Sequence, residues 1–163
     1  MIHGKGIRAL EILKAALEDA EEILMIQKLA YQSEAALYGD YNIPPLRQTV
    51  GELRAQFRDH LILKAVFNGK IIGTVRAYEE DSTCYIGRLA VHPEFQNPGA
   101  GTALMKAVED CFCPQRYELF TGSKSEKNIH IYKKLGYNIY KRDSHGCGEI
   151  EIFILEKHNK QKR

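Results

Sequence analysis

The sequence predicts an α/β fold in which helices flank a central sheet that is mixed but mostly antiparallel. Asn68-Gly69 stands between two strand-like runs, and Asn-Gly in that setting is a strong signal for a β-hairpin. A third strand-like run ends at Val91, and a turn with glycines then opens into a helical pattern. The 163 residues, of which 44% are hydrophobic, fit one domain with a substantial core.

Hydrophobic periodicity and turn residues predict about seven strands and four helices. Apolar residues at helical spacing mark the helices, while short apolar runs and alternation mark the strands. Pro114 stops the third helix and Gly136 closes the fourth. In chain order, we expect strand 9–13, helix 19–31, loop 35–45, helix 46–58, strands 61–67, 71–78 and 84–91, helix 103–112, strand 117–121, helix 128–135, and strands 137–141 and 149–156.

Composition narrows the expected partners and location. The formal net charge is +2 and the cations alternate with acids, so we expect no nucleic-acid partner. No apolar run is long enough to span a bilayer, and the first residues lack a signal-peptide core, so we expect no membrane partner and a cytoplasmic location. Residues 157–163 form a basic C-terminal tail that we expect to be solvated.

The four cysteines predict free thiols and no metal site. None of them forms a Cys-x-x-Cys pair, so a reducing compartment is the simplest expectation. A zinc site is the weaker alternative, and its ligands would be Cys111, Cys113, His145 and Cys147.

Residues 96–102, here called the phosphate turn, are the most informative segment. Gln96, Gly99 and Gly101 spell Q-x-x-G-x-G directly before a helix. Glycines let the backbone approach a ligand, and the first amides of a helix lack internal partners, so the segment favours a phosphate group. A dinucleotide fingerprint would need Gly or Ala at Leu104, and the Gly-Lys-Ser/Thr of a P-loop is absent. An ordinary strand-to-helix turn is the alternative.

The strand before the phosphate turn, the turn itself and the next helix resemble the central motif of the GNAT family of acetyl-CoA-dependent N-acetyltransferases. Residues 118–137 resemble that family's fifth strand, its following helix and its Tyr-x-x-x-Gly-Tyr ending. The resemblance covers about residues 7–156 and implies one N-acetyltransferase domain over 1–163. It also implies the GNAT fold, with a sheet that is splayed in the middle to hold CoA.

The resemblance implies that acetyl-CoA is the cosubstrate and that its pyrophosphate lies on the phosphate turn. It also implies that the fourth strand parts from the fifth, so that its backbone binds the pantetheine arm and the Leu89 N–H meets the thioester carbonyl. Asn128 could instead cap its helix. The implied cofactor-binding residues are Leu89, Ala90, Val91, Gln96, Asn97, Pro98, Gly99, Ala100, Gly101, Thr102, Ser125, Asn128 and Tyr132.

Tyr132 is the predicted general acid. A tyrosine has an ordinary pKa of about 10, so it is protonated at neutral pH and can donate to a departing thiolate. The alternative is that Tyr132 only packs on the sheet. Glu79 and Glu80 lie near strand ends and are candidates for the general base, although each could be a solvated turn carboxylate.

The resemblance implies that the first two helices, their loop and the last strands shape the acceptor site. The candidate acceptor residues are Tyr31, Glu34, Tyr38 and Tyr41, whose aromatic and acidic character suits a cationic amine. We therefore expect acetyl transfer to a primary amine of a small molecule or peptide, by direct attack in a ternary complex. A non-catalytic CoA-binding regulatory module is the alternative. A homodimer is compatible with the resemblance.

Overall fold

The computed structural model describes residues 9–96, 99–145 and 150–160. Within them, seven strands form one sheet in the order β1-β2-β3-β4-β5-β7-β6. Among these described strands, only β4 and β5 pair in parallel, so the predicted mixed, mostly antiparallel sheet is confirmed. The strands are β1 (Leu10–Lys14), β2 (Leu61–Phe67), β3 (Lys70–Glu80), β4 (Thr83–Val91), β5 (Arg116–Gly122), β6 (Asn138–His145) and β7 (Ile150–His158). The helices are α1 (Ala20–Tyr38), α2 (Pro44–Arg47), α3 (Val50–Gln56), α4 (Ala100–Cys111) and α5 (Glu126–Lys134).

Helices cover both faces of the sheet because successive strand side chains point to opposite faces. Ile62 of β2 packs in one cluster with Ile23 of α1 and Leu53 of α3. The next residue, Leu63, belongs to a second cluster that includes Leu104 of α4. The core therefore has two layers, with α1 and α3 on one face and α4 on the other.

The two hairpins that carry β2, β3 and β4 close with left-handed turn residues. Asn68 and Gly69 have φ of 53° and 76°, which is the pattern of a type I′ turn. The Asn-Gly prediction is confirmed. Asp81 and Ser82 also have positive φ, 51° and 64°, so the second turn is tight and β3 continues to Glu80.

Two helix predictions need correction. Helix α1 does not end near Tyr31 but continues to Tyr38 and stops at Gly39, whose φ is 63°. The predicted helix 46–58 is divided, because Gln48 is extended between α2 and α3. Thr49 starts α3 with a capping box: its Oγ1 accepts from the Glu52 N–H at 3.1 Å, and its own N–H donates to Glu52 Oε1 at 2.9 Å.

The sheet opens between β4 and β5. These strands pair only from Thr83 to Tyr85, opposite Arg116 to Glu118. Arg116 holds the closed end together, since it donates to Thr83 Oγ1 at 3.2 Å and to Glu156 Oε1 of β7 at 3.0 Å. Beyond Tyr85, no residue of β4 has a register partner in the described part of β5, so the two strands diverge there.

A β-bulge lies in the same stretch of β4. Gly87 is opposite Arg76 of β3 and Ala90 is opposite Thr74, so two residues of β4 face one residue of β3. The two bulged residues are Arg88 and Leu89. Arg88 has φ of 54°, a conformation that L-residues rarely adopt and that often marks functional sites.

The Gly-Tyr ending after α5 is a structural anchor. The buried Tyr137 donates its hydroxyl to Glu109 Oε2 at 2.7 Å, and Lys157 Nζ lies 2.8 Å from the other oxygen of that carboxylate. Lys157 and His158 belong to β7, so the expected solvated tail does not begin at residue 157. Residues 161–163 lie outside the described residues. None of the helices in the described ranges has the length and apolar character needed to cross a bilayer.

Candidate functional site

A cavity of about 480 Å³ lies where β4 and β5 diverge. It is bounded by α1 and the α1–α2 loop on one side, by the open ends of β4 and β5, and by α5. The residues lining it that carry polar or ionisable side chains include Tyr31, Glu34, Tyr38, His60, Arg76, Tyr78, Tyr85, Arg88, Glu118, Asn128 and Tyr132. The structure therefore gathers polar and ionisable side chains from five elements and one loop at the splayed part of the sheet.

The start of α4 offers backbone N–H groups. Gly99 is the N-cap with φ of 83°, and the first helical bond runs from the Ala103 N–H to the Gly99 carbonyl at 3.0 Å. The N–H groups of Ala100, Gly101 and Thr102 donate to no other residue of the described ranges. Gln96 is exposed, and its side-chain amide lies 3.4 Å from the Val91 carbonyl. Of the predicted phosphate-turn residues, Asn97 and Pro98 lie outside the described residues.

Helix α4, strand β4 and helix α5 meet at Gly101. A Cβ placed on this buried glycine would lie 3.4 Å from Ile131 Cδ1 and 3.8 Å from Leu89 Cδ2. The Leu89 side chain therefore faces α4. Its backbone has no register partner in β3 or β5, within the described residues. The resemblance implies a Leu89 backbone that is free to bind the cofactor, and this lack of a strand partner is compatible with it. The role of Leu89 itself stays a prediction.

Tyr132 of α5 is buried and lines the cavity. Burial, followed by the charges of Tyr31 and Glu34, raises the pKa of its hydroxyl above the ordinary value. The ring also packs 6.2 Å from the ring of Tyr137. No residue in the described ranges makes a hydrogen bond with the Tyr132 hydroxyl. A buried hydroxyl without a partner is costly, so this group is available to a ligand.

Asn128 also lines the cavity, and it is not a helix cap. Ser125 occupies the N-cap position of α5, so Asn128 is the third residue of the helix. The capping alternative is therefore wrong. No hydrogen bond joins the Asn128 side chain to another described residue, although it is half-buried.

Ser125 connects α5 to α1 through its hydroxyl. This hydroxyl donates to Glu34 Oε1 and lies 3.0 Å from Tyr38 Oη, which also accepts from the Lys124 N–H at 2.8 Å. Glu34 and Tyr38 are thereby fixed at the cavity. The Ser125 hydroxyl faces the predicted acceptor side, and its assignment to the cofactor remains a prediction.

Gly122 of β5 permits this position of Tyr38. A Cβ on Gly122 would overlap Tyr38 Oη and Cζ, so we expect Gly122→Ala to lower the free energy of unfolding by about 1–3 kcal/mol through overpacking. Chemical denaturation measures the effect.

A double-mutant cycle with Tyr38→Ala is expected to show favourable coupling, because the smaller side chain removes the overlap. Additive losses would contradict this explanation. Gly51→Ala, at an open position on α3, is the control.

The predicted acceptor residues divide into two groups. Tyr31, Glu34 and Tyr38 line the cavity, and burial raises the pKa of Tyr31 to about 12. Tyr41 does not line it and is 60% exposed, in the loop that follows the end of α1 at Tyr38.

Glu79 and Glu80 are wrongly placed for a general base. Both are exposed at the turn end of β3, and neither lines the cavity. The carboxylates that do line it are Glu34 and Glu118. Glu118 is already neutralised by Arg116 at 2.7 Å and accepts from the Tyr140 hydroxyl at 2.7 Å.

A network of glutamines and arginines borders the cavity, and sequence reasoning missed it. Gln48 Oε1 accepts from Gln27 Nε2 at 3.0 Å, from Arg88 at 3.1 Å and, at 3.4 Å, from Arg76. Gln56 Oε1 accepts from Arg76 at 2.5 Å. Burial and the charge of Arg88 lower the pKa of Arg76 to about 10. The sequence feature that could have indicated this network is Gln27, a polar residue on the apolar face of α1.

His60 is a second cavity residue that the sequence did not indicate. Its Nδ1 lies 2.7 Å from Asp59 Oδ1, and its ring contacts Tyr78 edge-on at 5.0 Å. The histidine follows α3 immediately before β2, a position that no motif marks.

Comparisons with known proteins agree with this architecture. The model of the acetyltransferase (GNAT) family matches residues 18–137. The UPF0157 protein YqkA of Bacillus subtilis (strain 168) is 30% identical over 122 residues, which is 72% of this chain. The chain spans only 34% of the length of that relative.

Two solved structures show the shared fold. The PaiA N-acetyltransferase from Thermoplasma acidophilum, solved in complex with coenzyme A, superposes with a TM-score of 0.76 at 19% identity, over 93% of this chain and 99% of that one. The ribosomal-protein-S18-alanine N-acetyltransferase from Escherichia coli superposes with a TM-score of 0.75 at 17% identity, over 92% of this chain and 94% of that one. With the family model covering most of the sequence and the sheet opening between β4 and β5, the chain belongs to the acetyltransferase (GNAT) family.

Proposed function

We propose that this protein transfers an acetyl group from acetyl-CoA to a primary amine of a small molecule or peptide, by direct attack in a ternary complex. The observation that carries the proposal is the cavity at the opening of the sheet, where the Tyr132 hydroxyl lies near Glu34 and has no partner among the described residues. Family membership supports acetyl transfer in general. The coenzyme A bound to the T. acidophilum neighbour supports the choice of carrier.

The residues present fit coenzyme A. The N–H groups at the start of α4 suit a pyrophosphate, because they have no acceptor within the described residues and lie at the positive end of the helix dipole. From Leu89 to Val91, the edge of β4 that faces β5 has no partner among the described strands. This edge suits an extended amide chain, which would add to the strand as in β-augmentation. The Asn128 amide adds a polar group on the same cavity. We assign the cofactor to these elements.

Acetyl-CoA supplies an activated thioester: in the transfer a C–N bond forms, the C–S bond breaks, the amine loses a proton and the sulfur gains one. Tyr132 holds the proton that the sulfur needs, since burial keeps its hydroxyl protonated. The Leu89 N–H donates to the carbonyl oxygen as negative charge develops on it.

Glu34 takes the role of general base that was expected of Glu79 or Glu80. It lines the cavity near Tyr132, and the Ser125 hydroxyl fixes one of its carboxylate oxygens. A carboxylate at this position pairs with an ammonium group and accepts the proton as the amine attacks. Glu118 is less suited because Arg116 already neutralises it.

A thiol-release assay with acetyl-CoA tests the proposal. The purified chain is mixed with amino acids, simple amines, polyamines, aminoglycosides or peptides, and free CoA is measured with a thiol reagent. We expect release that depends on one class of amine, with acetylated product detected by mass spectrometry. Tight CoA binding by calorimetry, with no release across the panel, would instead support a non-catalytic CoA-binding module.

A further inference from the structure

Two arginines line the same cavity on the side of the sheet that faces α1 and α3. Arg76 belongs to β3 and Arg88 to the bulge of β4, and both are partly buried. Both donate to Gln48 Oε1, so the two guanidinium groups lie close to each other. No carboxylate of the described residues lies within ion-pair distance of either group. Like charges held together in a partly buried site are unfavourable unless an anion joins them.

The hydrogen bonds of this pair leave most of its donors unused. A guanidinium has five N–H donors, yet within the described residues both arginines donate only through Nη1. Every acceptor is a neutral glutamine oxygen. Gln48 accepts from Gln27, which is almost fully buried, and donates to Gln56 at 2.8 Å, so the arginine pair is fixed in place rather than free to reach solvent.

The bulge explains why Arg88 points to this side. Leu89, the next residue, packs towards Gly101 of α4, on the opposite face of the sheet. Arg88 lies in the left-handed region and reaches Gln48, between α2 and α3. The pyrophosphate site that we assign to α4 is thus on the other face. The arginines therefore face the site of the acetyl acceptor and not that of the cofactor pyrophosphate.

We propose that the acetyl acceptor is a small amino acid or a related molecule, in which an anionic group bound by Arg76 and Arg88 accompanies the primary amine. This rests on the proposed function, and it narrows the cationic amine that the sequence suggested to one that also carries an anionic group. Guanidinium groups bind carboxylate or phosphate oxygens through paired hydrogen bonds. A polyamine has no group for this site and would be repelled by it.

The size of the cavity favours a small acceptor. Glu34, Arg76 and Arg88 line the same cavity, whose volume is about 480 Å³. An amine paired with Glu34 and an anion held by the arginines therefore lie within one cavity, as the two charged groups of a small amino acid would.

Matched acceptors test the proposal in the wild-type enzyme. Each amino acid is compared with the amine that remains when its carboxylate is removed, and with the corresponding aminoalkylphosphonate. We expect kcat/KM to be at least about 30-fold higher for an anionic member of each set, the usual effect of losing one partner of a buried charged contact. Comparing kcat/KM between the amino acid and the phosphonate shows whether a carboxylate or a phosphate-like group is preferred. Equal rates with polyamines and amino acids would overturn the inference and leave the proposed function standing.

Variants localise the effect. Arg88→Gln is expected to raise KM for the anionic acceptor about 30-fold and to leave KM for acetyl-CoA unchanged. Arg54→Gln is the control, since Arg54 is an exposed arginine of α3 that pairs with Glu21 outside the cavity. An equal loss for acceptors with and without the anionic group would contradict the assignment.

Two measurements do not depend on turnover. Arg88→Met is expected to raise Tm by about 2 °C, because it removes a poorly compensated charge. A lower Tm would indicate a structural role instead. In calorimetry, an N-acetyl amino acid is expected to bind the wild type and not Arg88→Gln. The N-acetyl amine that lacks the carboxylate is expected to bind both proteins only weakly. If no amine released thiol, the proposed function would fail, and this calorimetry would still decide whether the arginines bind an anion.

Discussion

Tyr132→Phe is expected to lower kcat by about 100-fold or more, the usual contribution of a general acid, while KM for acetyl-CoA changes little. The hydroxyl has no hydrogen-bond partner among the described residues, so its removal costs no internal bond. The free energy of unfolding is therefore expected to stay the same or rise slightly. Steady-state kinetics and chemical denaturation on the same preparation measure both quantities.

Tyr137→Phe is the matched control for that experiment. Its hydroxyl donates to the Glu109 carboxylate at 2.7 Å, so the same chemical change is expected to cost about 1.5–3 kcal/mol of unfolding free energy and to leave kcat nearly intact. If Tyr132→Phe retained normal turnover, Tyr132 would be only a packing residue. A variant that lost both stability and turnover would also contradict the assignment.

The pH dependence of the wild type gives a further check on Tyr132. Burial raises the pKa of its hydroxyl, so the protonated form persists as pH rises through 10. We therefore expect that the kcat of the wild type does not fall near pH 10 through ionisation of Tyr132. A decrease caused by that ionisation would be present in the wild type and absent from Tyr132→Phe. Such a fall would show that the hydroxyl ionises as an ordinary exposed tyrosine does.

Gly101→Val is expected to weaken acetyl-CoA binding about 10- to 150-fold, the loss of one charge-assisted hydrogen bond of about 1.5–3 kcal/mol. A Cβ at this position would already be 3.4 Å from Ile131 Cδ1, so the methyl groups of valine push the start of α4 away from β4 and α5. Calorimetry with CoA measures the dissociation constant. Gly101→Ala is expected to have a smaller effect, since its Cβ alone fits.

Gly51→Val is the control for that substitution. Gly51 is also the second residue of its helix, α3, but it is exposed and a Cβ there meets only Thr49 Oγ1 at 4.0 Å. We expect this variant to bind CoA normally. Unchanged affinity in a folded Gly101→Val protein would place the pyrophosphate elsewhere.

Most of the fold followed from local signals. Asn68-Gly69 predicted the hairpin because only residues that tolerate positive φ fit a type I′ turn, and both have it. Gly99, the N-cap of α4, and Gly101 in its first turn predicted where the helix starts. The seven strands lie within a few residues of their expected bounds. The divided second helix was missed because its apolar positions are regular across both parts. Only the capping box at Thr49 reveals the break.

The sequence by itself determined the order of strands and helices, the glycine turn before α4, and the position of Tyr132 in its motif, because each depends on residues that are neighbours in the chain. Only the tertiary structure decided that Glu34 rather than Glu79 or Glu80 faces the cavity, and that Arg76 and Arg88 share Gln48. Those contacts depend on the bulge in β4, the extended Gln48 and the length of α1. Such features set where side chains point in space, and hydrophobic periodicity does not encode them.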